Sequence, residues 1–186
     1  MGPIDELKQE HQAVLTALRI LEEATAKSGG AEAADRVLDI EQLLGFFKVF
    51  VDLCHHGKEE KLLFPALEQI GVSREGGPIG VMLAEHDLGR INMSGMQSAL
   101  GKIRSGDNRA AGALQKSAVA YIDILRRHID KEDNVLFQIA AAQLSAEKLT
   151  RLEIDFERLE KEEIGPGRHE EYHAMLDRLQ EKYLKQ

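Results

Sequence analysis

Apolar residues return at alternating intervals of three and four along most of the chain, the spacing that lines one face of an α-helix. Ile4, Leu7, Val14, Leu18 and Leu21 make the first such stripe, with His11 set among them. The stripe predicts a helix from about Asp5 to Ala26, ended by a Ser28-Gly29-Gly30 break. A second pattern runs from about Asp35 to about Glu68 and carries Leu44, Phe47, Val51, His55, Glu59 and Leu62 on one face. Pro65 lacks an amide hydrogen and crowds the preceding turn, so the last turns of this helix are expected to shift or kink.

The glycine-dense segment from Gly71 to Pro78 reads as a loop. A third helix follows, with Met82, His86, Met93, Leu100 and Ile103, and ends at the turn Ser105-Gly106-Asp107-Asn108. The cleanest stripe comes next: Leu114, Ala118, Tyr121, Leu125, His128, Glu132, Val135 and Ile139. Ser145 is placed to cap a fifth helix, with Glu147 supplying first-turn acid. Gly165-Pro166-Gly167 then separates a short last helix, about His169 to Tyr183, whose apolar side holds Tyr172, Met175, Leu176 and Leu179.

No alternating run suggests a strand, and short turns between long helices favour antiparallel neighbours. The expected fold is all-α: an up-down antiparallel four-helix bundle over residues 1–143, with a C-terminal helical extension, 144–186, packed on it. At 186 residues the chain is long enough to bury a core without disulfides, and its single cysteine, Cys54, excludes an intrachain bridge or a CxxC motif. A net charge of -8 argues against nucleic acid as a partner. No apolar stretch reaches membrane-spanning length, and the acidic start Met1 to Glu6 is unlike a secretion signal, so a cytoplasmic protein is expected.

The chemistry lies in what interrupts the stripes. His11, His55, His86 and His128 fall on the inward faces of four different helices, and Glu59 and Glu132 each follow a histidine by one turn. Residues four apart share a helix face, so each HxxxE can present an imidazole and a carboxylate to one interior point. Burying that many polar groups without a metal would cost several kcal/mol. The arithmetic suggests two ions, with the glutamates as bridges, histidines as terminal ligands, and water, hydroxide or oxo in remaining positions. Imidazole and carboxylate donors without thiolates suit iron, and also manganese or zinc. A displaced pair, His56 and Glu60, competes for the register of the second helix. We favour His55 and Glu59, with His56 and Glu60 behind them or His56 as an extra ligand.

These residues together resemble the hemerythrin-like HHE cation-binding family: His11, the run from Cys54 to Pro65, Glu85-His86-Asp87, Arg127 to Asp133, and Leu136-Phe137. The resemblance implies a four-helix bundle holding a non-haem di-iron centre, oxo- or hydroxo- and carboxylate-bridged, with His11, His55, Glu59, His86, His128 and Glu132 at ligand positions. The chain departs from the oxygen-carrier pattern at Arg90, where that pattern places a second histidine one turn after the first. In the carrier spacing Asp133 would replace Glu132. His173, four residues after His169, could supply a missing seventh ligand if the last helix folds back; otherwise the pair is a solvated surface. Tyr121, two turns before His128, could neighbour a bound oxygen ligand or simply fill core.

The leading function is a non-haem di-iron protein that binds or reacts with dioxygen, peroxide or nitric oxide, using a small oxidant or gas ligand and a protein reductant or regulatory partner. An iron- or oxygen-responsive sensor is one alternative and a metal-free helical interaction protein another. A ferritin-like design expects ExxH on two helices, and the chain offers only Glu170 to His173.

Overall fold

The computed structural model describes residues 2–26, 33–165 and 167–185. The Ser28-Gly29-Gly30 break and Pro166 lie outside them. Helix α1 spans Pro3–Ala26. Helix α2 is one continuous helical run assembled from Ala33–Phe46, Phe47–His55, His56–Lys58, Glu59–Leu63 and Phe64–Glu68, of which the second and fourth pieces are π-helical. Helix α3 spans Pro78–Arg104, and α4 comprises Ala111–Lys131, the π-helical Glu132–Leu136 and Phe137–Gln143. Helices α5, Ala146–Glu163, and α6, Arg168–Leu184, complete the described chain. Ser145 caps α5 as expected, its hydroxyl accepting from the Lys148 amide at 3.3 Å.

Helix α1 packs against α2 and α4, and α3 against the same two, closing a four-helix bundle; α5 and α6 lie outside it, mainly on α1 and α2. The tie between α6 and α2 is both aromatic, with Tyr172 edge-on to Phe46 at 5.5 Å, and ionic. Asp39 accepts from Arg178, Lys182 and the Tyr183 hydroxyl at 3.1, 2.7 and 2.9 Å. The bundle interior divides into two apolar clusters. One holds Val14, Leu18, Val51, Met93, Tyr121 and Leu125, and the other Leu7, Leu63, Phe64, Met82, Leu136 and Phe137. Between them lies a polar layer formed by the buried histidines and glutamates.

The π-helical pieces correct two positions of the expected stripes. Val135 is 49% exposed and Leu62 only partly buried, whereas Leu136 and Leu63 are fully enclosed. A π-helix bonds i to i+5 and so accommodates one more residue per turn than the α period assumes. Directly after Glu59 and Glu132, therefore, the inward position moves one residue along the chain. Pro65 sits at the start of Phe64–Glu68, just past the first of these displacements.

Candidate metal centre

Each of the four bundle helices delivers an imidazole to the polar layer. His11 comes from α1, His55 and His56 from α2, His86 from α3 and His128 from α4, none more than 4% exposed. Nε2 of His11 lies 3.0 Å from Nε2 of His55, and Nε2 of His86 lies 3.1 Å from Nε2 of His128. Two fully buried carboxylates connect these pairs. Glu59 places Oε1 3.7 Å from His55 Nε2 and Oε2 3.4 Å from His86 Nε2. Glu132 Oε2 is 3.3 Å from His11 Nε2 and 3.2 Å from His128 Nε2. Two four-residue groups result: His11, His55, Glu59 and Glu132, and His56, Glu59, His86 and His128, each with donor atoms within 4.8 Å of one another.

Behind the histidines a cycle of carboxylates runs round the bundle. Glu10 of α1 accepts from His55 Nδ1 at 2.6 Å, and Glu60 of α2 from His86 Nδ1 at 2.6 Å. Glu85 of α3 accepts from His128 Nδ1 at 3.1 Å, and Asp133 of α4 closes the ring on His11 Nδ1 at 2.9 Å. Each helix thus hands an acid to the histidine of the next. An Nδ1–H held by a carboxylate leaves the lone pair of the neutral ring on Nε2. The four lone pairs consequently converge on the space between Glu59 and Glu132, whose oxygens have no hydrogen-bond donor.

Such a convergence is electrostatically unfavourable unless a cation fills it. Burial disfavours the imidazolium form of His11, yet Asp133 and Glu132 outweigh it and hold its pKa up, at about 10. At His86 the same opposition, with Glu59 and Glu60 as the acids, gives about 9. His56 is driven the other way, by burial and by its neighbour His86, and its ring stacks on that of His86 at 3.8 Å. The orphaned carboxylates and inward lone pairs fit a pair of divalent or trivalent ions. This geometry is consistent with a di-iron site.

The hemerythrin HHE cation binding domain model matches residues 2–140. The chain belongs to that family. As a hemerythrin-family chain it is 35% identical, over 85 residues, to the iron-sulfur cluster repair protein YtfE of Dickeya chrysanthemi (strain Ech1591), covering 45% of this chain and 38% of that one. It is 24% identical over 161 residues to uncharacterized protein Rv1995 of Mycobacterium tuberculosis (strain ATCC 25618 / H37Rv), covering 87% of this chain and 62% of the relative. The chain thus spans less than two thirds of the length of these curated relatives.

Within this hemerythrin-family site the structure brings together His11, His55, Glu59, His86, His128 and Glu132, and adds His56. The position one turn beyond His86 contributes no donor. Arg90 turns to carboxylates instead, donating to Asp52 at 2.7 Å, Glu60 at 2.7 Å and Asp87 at 3.0 Å. His173 is exposed and lines a different pocket, with His169 and Glu160, so it does not reach the layer. Tyr121 is buried and, with Lys48, Asp52, His56, His86 and Arg90, lines a cavity of about 170 Å³ beside the layer. Cys54 is enclosed, and burial pushes its thiol up to about 12, which suits a packing role.

Glu10, Glu85, Asp52 and Lys58 escaped the sequence reading. A signal for the first two was present, because Glu10-His11 and Glu85-His86 repeat an acid directly before a core histidine, as Glu59-Glu60 and Glu132-Asp133 repeat an acid directly after a core glutamate. Lys58 is wholly buried, donating to Glu6, Glu10 and Glu160 at 2.5, 2.6 and 3.1 Å. Helix α5 covers this side of α2, with Leu159 against Gly57. That cover buries every residue from Cys54 to Glu59, which is why periodicity alone left two registers open.

Proposed function

We propose that the chain is a non-haem di-iron protein that reacts with a small oxidant, dioxygen, peroxide or nitric oxide, rather than storing oxygen reversibly. The observation that carries this reading is the pair of buried, donorless carboxylates, each within reach of both histidine pairs. His11 and His55 would hold one ion and His56, His86 and His128 the other, with Glu59 and Glu132 as bridges and an oxo or hydroxo group completing them. His56 from α2 takes the place that Arg90 leaves vacant on α3. Residues 1–143 would form the metal-binding unit and 144–186 an extension that encloses α2.

Bound as a ferrous pair, the metal would supply two electrons to the oxidant. The protein's own part is access and proton control. The cavity between α2 and α3 reaches His56 and His86 and has charged groups, Lys48, Asp52 and Arg90, in its lining. Arg90 keeps its positive charge under all physiological conditions, and its bonds to Asp52, Glu60 and Asp87 fix it in the cavity wall as part of a charged network. Reversible oxygen storage calls for a dry site that keeps protons away. A charged lining next to His86 works against that, as does the likeness to a protein named for iron–sulfur cluster repair. The lone, enclosed thiol of Cys54 suits a reducing cytoplasm. No described helix is long and apolar enough to cross a membrane.

Stopped-flow mixing of the anaerobic diferrous protein with dioxygen, followed by deoxygenation, tests this function. Rapid passage to a diferric spectrum is expected. A stable oxygenated spectrum that reverts when oxygen is withdrawn would restore the carrier reading, and an unchanged spectrum with all three oxidants would end the proposal.

A further inference from the structure

A second polar pocket, of about 270 Å³, opens on the opposite side of α2, at the seam between α1 and the C-terminal helices. Glu10, Glu160 and His169 place donor atoms within 4.8 Å of one another there. His169 Nε2 is enclosed and has no hydrogen-bond partner, its nearest acid being Glu160 Oε1 at 3.6 Å. His173, one turn further along α6, lines the same pocket with its ring centroid 5.7 Å from that of His169. We infer that this seam is a mononuclear site for a divalent first-row metal ion, held by His169, His173 and Glu160 with Glu10 at its inner edge.

Charge and geometry both support it. Glu6, Glu10 and Glu160 surround a single ammonium, that of Lys58, so the group carries an excess of negative charge. Lys58 occupies Glu160 Oε2 and leaves Oε1 turned toward His169. Glu10 already serves Lys58 and His55, but an ionised carboxylate has about four acceptor positions and keeps capacity for a cation. Metal–donor bonds of about 2.1 Å put donors on one ion up to roughly 4.2 Å apart, so Glu10, Glu160 and His169 need only a small contraction, while the exposed His173, outside that group, would join them by turning its side chain. Two imidazoles and a carboxylate suit zinc, cobalt, manganese or ferrous iron better than calcium or magnesium. Glu160, His169 and His173 lie beyond the segment that the family model matches, so three of the four donors come from this chain's extension and Glu10 from the bundle.

The test is a cobalt(II) titration of the iron-loaded protein, read as metal per chain after desalting and as visible d–d absorption. Wild type is expected to take up one cobalt beyond its iron. The double variant His169→Ala/His173→Ala should bind cobalt at least tenfold more weakly, with iron content and the iron charge-transfer spectrum unchanged. An iron-loaded wild type that takes up no cobalt, or a double variant that binds it as tightly as wild type, overturns the inference. The interior centre is scored separately, by iron content and by the Glu59→Ala variant. A chain that takes no iron but loses one cobalt equivalent on His169→Ala/His173→Ala would refute the di-iron proposal and leave this one standing.

Discussion

Replacing Lys58 by methionine keeps most of the side-chain volume and removes one charge from the most enclosed ion cluster outside the polar layer. The ammonium is fully buried, and of its three carboxylates Glu10 is 6% exposed while Glu6 and Glu160 are 23% and 33% exposed at the side chain. Breaking a buried pair by deleting one partner costs about 3–5 kcal/mol, because the surviving charge is left uncompensated. Water can reach Glu6 and Glu160, and Glu10 retains its bond from His55, so the low end applies and the expected loss is about 3 kcal/mol. For a chain of this size that lowers Tm by roughly 6–12 °C. Circular dichroism is the suitable probe, since the chain has no tryptophan, with metal content matched between samples. Adding Glu6→Gln to the Lys58→Met background should recover part of the loss by relieving repulsion. Lys61→Met, which breaks an exposed pair with Glu163, should cost less than about 1 kcal/mol. If Lys58→Met proved as mild as Lys61→Met, the buried cluster would not be holding α5 and α1 against α2 in the way described.

Glu59→Ala and Glu132→Ala should each lower metal content at the two-ion centre, while Glu147→Ala on the exposed face of α5 should not; elemental analysis after anaerobic iron loading checks this. Glu85→Ala frees His128 Nδ1 and should weaken metal binding about 10–100-fold, measured by competition with a chelator. The carboxyl of Asp39 is held below its ordinary 3.8 because Lys182, Tyr183 and Arg178 outweigh the opposing effect of burial. Its contribution is therefore complete above about pH 4 and is lost as pH falls through the lower folded value. Asp39→Asn should flatten that acid limb of Tm against pH and leave little pH-dependent difference above it.

The helices were legible because their inward stripes are long and regular, from Ile4 to Leu21 and from Leu114 to Glu132. The four principal histidines were legible for the same reason, being polar residues in otherwise apolar stripes. Legibility failed where one helix is covered on two sides. Between Cys54 and Glu59 no face of α2 is exposed, so hydropathy carried no phase, and His56 could not be placed. It failed again just past Glu59 and Glu132, because a stripe counted in α periods points to Leu62 and Val135 where the chain buries Leu63 and Leu136. Glu10 and Glu85 were hidden differently: each acts on a histidine of another helix, and spacing within one helix cannot report such a partnership.

The π-helical stretches also set a condition on any attempt to move this centre elsewhere. A designer who copied the six interior residues onto ideal straight α-helices would reproduce the letters without the phase, and the apolar residues after each glutamate would face outward. Deleting one residue from the regularly wound Ala33–Phe46 would rotate everything upstream of it by about 100° relative to the glutamate. Single-residue insertions and deletions in α2 should therefore be far less tolerated than substitutions at the same positions. The helix is wound as a counted thread, and its count is part of the site.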